Sequence, residues 1–511
     1  MWLNILAALK LVFSPIGILY ILGGSVAGLI LGAIPGLGGG MLTVILLPMT
    51  YKMDPGLALA LLMSIYISST SGGCIGSILL GIPGTPSSLV TCWDGYEFTK
   101  KGDPVRALSA AVVCNALGTI PGLILAMLLS PIISRWAVKL GPWEYFGMCF
   151  LAIAMVIGLA KDDLAKGFLS MGIALVMCCI GKDPLGGVVR FTFGNLYLIN
   201  GIDMVNLLMG LFAARTIAME FARDTKKKEA SIMKVERFRW PGKDIREHVG
   251  LLLRCFGIGA VIGFMPGIGM NSATALCYAN ERNMAKDKEM WGHGAIGGVM
   301  APEIANNAVI GGAMTPMISL GIPGNGAMAY FITAMSIHGI NAGPRLLQER
   351  PVMVYTLYIS AMLAAVFILV SQMVGMPLFP KLLTTPYHFL YPAIMVIAFM
   401  GSFLQGNNVF YVLVALFACL LGTFMGYFRI PLMPFMMTYI LGNMIETNLR
   451  RSFNYSMHGL LDFFTRPLSC ALIILSLGFI AWNLVGDKIK AKIKKNSKLE
   501  VREVEDDPEE V

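Results

Sequence analysis

The sequence predicts an all-α polytopic membrane protein built as two repeated halves, with helices broken at Gly/Pro tips. Three observations carry this: the composition, a succession of long apolar runs, and a pair of motifs that occurs twice in the same order. Of 511 residues, 56% are hydrophobic and 14% charged, with a mean hydropathy of +0.71. A soluble domain is nearer ~45–50% apolar and ~25% charged.

A membrane span needs ~20 predominantly apolar residues. The N-terminal "MWLNILAALKLVFSPIGILYILGG" holds one lysine and no clear small-residue cleavage site, so it reads as a retained first segment. Apolar runs, some of them shorter than a full span, follow at 16–33, 57–80, 107–129, 146–160, 168–180, 207–218, 249–264, 354–374, 391–403, 409–425 and 470–485. They predict roughly ten to fourteen crossings.

The net charge of +9 does not point to nucleic acid, because the basic residues gather in "RDTKKKEASIMKVERFRWPGKDIR" (223–246) and in "KIKAKIKK" from Lys488. Both read as cytoplasmic under the positive-inside rule. The organisation expected is therefore a first transmembrane half (1–222), a basic cytoplasmic linker (223–247), a second transmembrane half (248–486) and a charged cytoplasmic tail (487–511). The tail ends in "EVREVEDDPEEV" and reads as a solvated end. Ten cysteines lie scattered, mostly in apolar runs and without C-x-x-C, as small buried hydrophobes. The five histidines are too far apart for a metal site, and no cofactor is expected.

Each half carries the same ordered signals. "GAIPGLGGG" (32–40) precedes "GIPGTP" (81–86), and "GFMPGIGMN" (263–271) precedes "GIPGNG" (321–326). The loops between and after these motifs exchange their basic bias. Lys52 stands against Arg282, Lys286 and Lys288; after the GIPG motifs, Lys100, Lys101 and Arg106 stand against Arg345 and Arg350. Opposite orientation of the two halves would give such an exchange, and duplicated, inverted halves are a mark of secondary transporters.

Proline removes a helix hydrogen bond and glycine admits backbone angles that other residues resist. A broken helix survives in hydrocarbon only where protein or a water-filled cavity covers it. The N-terminus of a half-helix then offers free N–H groups and a partial positive charge to an anion. Candidate anion-binding residues are Pro35, Gly36, Gly38, Gly39 and Thr43 at the first tip, and Gly81, Pro83, Gly84, Thr85 and Ser87 at the second. In the second half they are Pro266, Gly267, Gly269, Asn271 and Ser272, then Gly321, Pro323, Gly324 and Asn325. Close helix packing is the competing explanation for the glycines, although it does not explain the prolines.

Polar residues inside the spans give a second set. "YISSTSGG" supplies Ser68, Ser69 and Ser71, and "APEIANNAVIGG" supplies Glu303, Asn306 and Asn307. An acid within a span is a functional hypothesis by default. Glu303 with its asparagines suits Na⁺ or carriage of a proton; the competing reading puts it at a wet helix end or in a structural pair. "TCWDGYEFTKKGDPVRAL" (91–108) reads as a loop anchoring the first hairpin, or as a gate. Asp203 and Glu144 read as interfacial.

"GAIPGLGGG", "SGGCIGSILLGIPGTPSS", "WDGYEFTKKGDPVRAL", "GFMPGIG" and "GHGAIGGVMAPEIANNAVIGGAMTPMISLGIPGNGAMA" together resemble the large membrane subunit (TctA-type) of the tripartite tricarboxylate transporters. The resemblance covers roughly residues 15–480 and implies a bacterial inner-membrane protein of about twelve helices. It further implies uptake of an organic anion, a di- or tricarboxylate or another carboxylate, by symport with Na⁺ or H⁺. The partners implied are a periplasmic solute-binding protein, a small four-helix membrane subunit and the lipid bilayer. Where that pattern carries an asparagine before the first GxPG proline, this chain has Gly81-Ile82-Pro83, which leaves binding at that tip to backbone N–H groups and Thr85.

Two other classes fit the sequence less well. A membrane-embedded enzyme would need a motif such as H-E-x-x-H or a serine paired with histidine, and the spans contain neither. A passive anion channel fits duplicated broken helices less well than alternating access does. No G-x-x-x-x-G-K-[ST] is present for ATP hydrolysis.

Overall fold

A computed structural model describes residues 2–34, 39–158, 163–222, 235–383 and 387–483. The expected tip residues Pro35, Gly36 and Gly38, most of the basic linker and the tail lie outside the described residues. In order, the helices of the first half are α1 (Trp2–Val12), α2 (Pro15–Gly32), α3 (Gly39–Leu46), α4 (Pro55–Leu80), α5 (Leu89–Lys100), α6 (Pro104–Ala137), α7 (Pro142–Gly158) and α8 (Leu164–Cys178). A short hairpin of β1 (Gly181–Lys182) and β2 (Val189–Arg190) follows, antiparallel, with Gly181 opposite Arg190. Then come α9 (Met204–Leu208), a π-helical stretch over Met209–Ala214, and α10 (Arg215–Ala222).

After the linker the chain forms α11 (Gly242–Glu247), α12 (Val249–Phe264), α13 (Gly269–Met284), α14 (Ile296–Leu320), α15 (Gly326–Ile337), α16 (Leu346–Glu349), α17 (Pro351–Gly375), α18 (Phe379–Leu383), α19 (Tyr387–Gly406) and α20 (Val409–Tyr427). The last elements are α21 (Leu432–Tyr455), α22 (Asp462–Thr465) and α23 (Pro467–Asn483).

Local chemistry fixes many of the starts. Ser14 accepts from the Gly17 N–H at 3.0 Å to open α2, and Asp54 accepts from Gly56 at 2.9 Å to open α4. Prolines occupy the first turn of α2, α4, α6 and α17, where a missing N–H is harmless. Helices α4 and α14 both end on a left-handed glycine, Gly81 (φ +66°) and Gly321 (φ +73°), which only glycine adopts without penalty.

Among the described residues, five helices are long and apolar enough to cross a membrane: α2, α4, α6, the α17–α18 stretch and α20. A sixth span forms if residues 459–465 and α23, bent by 97°, count as one. The chain is thus a multi-pass helical membrane protein. Helix α14 has 25 residues but is less apolar than these spans, because it carries Glu303, Asn306 and Asn307; it is buried along almost its whole length.

Two compact units emerge. The first comprises residues 1–139 and 179–428, the second 140–178 and 429–511. In the second, α21 packs on α7 and α8, Ser170 donates to the Pro431 carbonyl, and Arg466 stacks on Trp143 at 3.8 Å while facing Glu144.

In the first unit one packing pattern occurs twice. Gly28 and Gly32 of α2 lie against Ile65 and Ser69 of α4, while Gly259 and Gly263 of α12 lie against Ala305 and Val309 of α14. A Cβ at any of the four would overlap backbone of the facing helix, so backbone-to-backbone approach replaces side-chain interdigitation here. Helices α4 and α14 are the buried centre, α6 crosses α14, and α17 crosses α4.

Candidate functional site

The tips are assembled from the same residues in both halves. Gly84 sits so close that a Cβ would meet the Gly32 carbonyl at 2.6 Å and Gly73 Cα at 2.8 Å. Gly324 repeats this against the Gly263 carbonyl (2.6 Å) and Ala313 Cα (2.7 Å). Backbone bonds hold the tips together: the Gly84 N–H donates to Gly73 at 3.3 Å, and the Gly267 N–H to Gly324 at 3.1 Å. Glycine serves close packing at these positions, while the prolines and left-handed glycines redirect the chain.

The halves interlock at their tips. Helix α3, which begins at Gly39 and buries Thr43, packs on α15; α13 packs on the Pro86–Ser88 turn that opens α5. Gly267 (φ +85°) and Gly269 (φ +74°) form the turn into α13 beside Pro266. Asn271 is exposed and Ser272 half-buried, so these two point away from the enclosed part of the site.

At the first GIPG tip, Thr85, Ser87 and Ser88 are buried and form a hydroxyl cluster. Thr85 Oγ1 lies 3.2 Å from Ser87 Oγ and 3.1 Å from Ser88 Oγ, and Ser88 donates to the Thr85 carbonyl at 2.8 Å. At the second, Asn325 caps α15 by accepting from the Met328 N–H at 3.0 Å, and its amide nitrogen donates to Tyr66 Oη at 3.3 Å.

Between the tips runs a chain of buried polar groups on five helices. Glu303 of α14, 1% exposed, accepts from Thr91 of α5 at 2.5 Å through Oε1. Asn115 of α6 turns its amide nitrogen to Oε2 at 2.8 Å, the orientation its neighbours require. Asn307 accepts from Ser71 of α4 and Thr119 of α6, both at 3.0 Å, and donates to the Glu303 carbonyl. Gln372 of α17 donates to the Ser71 carbonyl at 3.2 Å. A cavity of about 10 Å³, room for roughly one water, lies beside Ser71, Asn115, Thr119 and Gln372.

Of the other expected residues, Ser68 is spent on its own helix, donating to the Ser64 carbonyl. The hydroxyl of Ser69 has no partner, and Asn306 has none for either amide atom. Sequence reasoning missed Thr91, Asn115, Thr119 and Gln372. A lone amide in an apolar run, as in "VVCNALG" or "LVSQMVG", is a signal that finds two of them.

Asp94 was missed as well, and its carboxylate accepts four hydrogen bonds. From α5 it reaches the N-terminal end of α14, where Oδ1 accepts from the N–H groups of Gly292 (2.9 Å), Gly294 (2.8 Å) and Ala295 (2.7 Å). Its Oδ2 accepts from the Tyr278 hydroxyl of α13 at 2.8 Å. One carboxylate thus neutralises the positive end of the central helix and ties three elements together.

Glu144, whose carboxylate accepts from the Gly141 N–H and faces Arg466, is a structural pair in the second unit. Asp203 caps α9 through the Asn206 N–H. Among the described residues no group of three or more His, Cys, Asp or Glu could hold a metal.

Residues 18–437 match the family described as Tripartite tricarboxylate transporter TctA family. An Agrobacterium vitis protein described as an uncharacterized 52.8 kDa protein in the TAR-I ttuC' 3' region is 30% identical over 477 residues, covering 93% of this chain and 95% of that one. A second, described as an uncharacterized protein in the TAR-II ttuC' 3' region of the same organism, is 32% identical over 223 residues, 43% of this chain and 90% of that one. No solved structure matches the chain.

Proposed function

The chain belongs to the tripartite tricarboxylate transporter TctA family, and from that membership we propose that it is the large membrane subunit of a secondary transporter that takes up an organic anion by cation symport. The observation that supports this most is the meeting of tips from both halves beside a buried acid. An anion received at half-helix N-termini and a cation handled at Glu303 would then share one enclosed region, which is what coupling requires.

On this reading the two halves are inverted repeats that move relative to the bilayer, the Gly/Pro breaks are the hinges and binding tips, and Glu303 carries a proton or takes part in holding Na⁺. Asn115, Thr91 and Asn307 position its carboxylate. A periplasmic solute-binding protein delivers the anion, and a small membrane subunit completes the permease in a bacterial inner membrane.

The test is uptake of radiolabelled carboxylates into vesicles holding this chain with its small subunit and binding protein, under an imposed Na⁺ or H⁺ gradient. Accumulation that follows one gradient is the expected result. Equilibration without accumulation under either gradient would replace the transporter by a channel.

A further inference from the structure

The two GIPG tips differ in whether the protein satisfies them, and the difference locates the ligand. Setting the two GIPG motifs on one another pairs Tyr66 with Asn306 and Thr85 with Asn325, each 240 positions apart. At the second tip the pair is closed, since Asn325 donates to Tyr66 Oη at 3.3 Å. At the first tip the corresponding residues are Thr85 and Asn306, and the side-chain nitrogen and oxygen of Asn306 are both buried without a partner.

The register of α5 on α14 carries Asn306 to that tip. Asp94 touches the start of α14, and a Cβ on Gly298 would overlap its carboxylate; three residues back along α5, Thr91 meets Glu303. The helices therefore run antiparallel, and the next turn of α14 brings Asn306 level with the N-terminal end of α5. There the Pro86–Ser88 turn packs on α14.

Burying an amide with nothing to bond is costly, because each unsatisfied group forfeits the bonds it would make to water. Its donor and acceptor together call for a ligand offering an acceptor and a donor side by side. The hydroxyl cluster adds a second donor. Ser88 uses its proton on the Thr85 carbonyl, and Thr85 can donate to either Ser87 or Ser88. The Ser87 proton can therefore turn from the cluster to a ligand without stranding either neighbour. Among the described residues no lysine, arginine or histidine is fully buried, so neutral donors must hold any anion enclosed here.

We propose that the first GIPG tip, and not the second, is the seat for the substrate carboxylate, with Asn306 and the Thr85–Ser87 hydroxyls as donors, and that the substrate bears a hydroxyl next to that carboxylate. Asn306 Nδ2 and the Ser87 hydroxyl proton bond the carboxylate, and Asn306 Oδ1 accepts from the substrate hydroxyl. The second tip is closed by Tyr66 of α4. This rests on the transporter reading above.

The experiment is binding of two matched pairs, malate with succinate and citrate with tricarballylate, to the purified full chain, read by isothermal titration and thermal shift. The wild-type protein is expected to prefer the hydroxylated member of each pair by about tenfold. Asn306→Leu should weaken binding at least tenfold, erase that preference, and leave the ligand-free melting temperature equal or higher, because it removes an unsatisfied buried amide. Asn306→Asp keeps the side-chain shape and serves if the leucine variant does not assemble; it should repel the carboxylate. Tyr66→Phe should bind within about threefold of wild type.

Wild-type binding and preference in the Asn306 variants, or an equal loss in Tyr66→Phe, overturns this assignment and leaves the transporter reading in place. Failure of the wild-type protein to bind any of the four overturns both.

Discussion

Glu303 is held by neutral partners only, a threonine hydroxyl and an amide, so whatever neutralises its charge has to arrive from outside the network. Glu303→Gln retains the shape and an acceptor for Thr91 but can neither release a proton nor contribute a full charge to a cation. Gradient-driven accumulation is expected to fall to background while the protein still inserts and melts within a few degrees of wild type. Thr91→Val removes a hydrogen bond to a charged group, worth about 1.5–3 kcal/mol, and is expected to slow uptake by roughly 10- to 100-fold. Unchanged rates in both variants would return the cluster to a packing role. At the tips, Gly84→Ala and Gly324→Ala each force a methyl group into carbonyl oxygens 2.6 Å away. A loss of about 1–3 kcal/mol from overpacking, seen as a lower melting temperature in detergent, is expected in each.

Among the elements, α5 decides the most. It is a 12-residue half-helix whose two inward acceptors and donors, Asp94 and Thr91, join the first hairpin to the central helix of the second half. Asp94→Ala would strand three backbone N–H groups and the Tyr278 hydroxyl. A destabilisation of about 3–5 kcal/mol is expected, measured as loss of folded protein on size-exclusion after mild heating. Gly298→Ala should produce a smaller loss of the same kind, by displacing the carboxylate.

The breaks at Gly81 and Gly321 were legible in the sequence, because glycine and proline act locally and leave their mark within four residues. The polar pairs Ser71–Asn307 and Thr91–Glu303 were only half legible. The sequence flags Glu303, Ser71 and the asparagines as polar groups in apolar surroundings, but which of them meet depends on how four helices cross. Asp94 was opaque for the same reason. "WDGYEF" resembles many loop segments, and its acceptors are occupied by backbone some 200 positions later. The π-helical stretch at 209–214 left no signal, since it follows from packing of Gly210 on the Ala415 carbonyl rather than from local propensity.

For the whole molecule, the apolar composition places it in the membrane, and the buried polar chain lies on α4, α5, α6, α14 and α17, inside the protein. Half of the ten cysteines are enclosed as well. Cys74, Cys114, Cys149, Cys255 and Cys277 are buried, and the other five are partly accessible. Maleimide labelling in native membranes is expected to leave the five buried cysteines unmodified and to reach them only after denaturation, as mass spectrometry of the peptides would record. Labelling of Cys74 or Cys114 in the native state would mean that water reaches the polar chain beside them.

The interlocking of α3 with α15 and of α13 with the Pro86–Ser88 turn bears on how such a protein arose. Neither half completes its own tips. On the proposed reading of the halves as inverted repeats, an ancestral chain of half this length would have needed a second copy of itself, paired by a two-fold axis. In such a homodimer any substitution would appear at both tips at once. Fusion would lift that constraint, so that a tyrosine at position 66 could close the second tip while position 306 held an asparagine and the first tip was left to specialise.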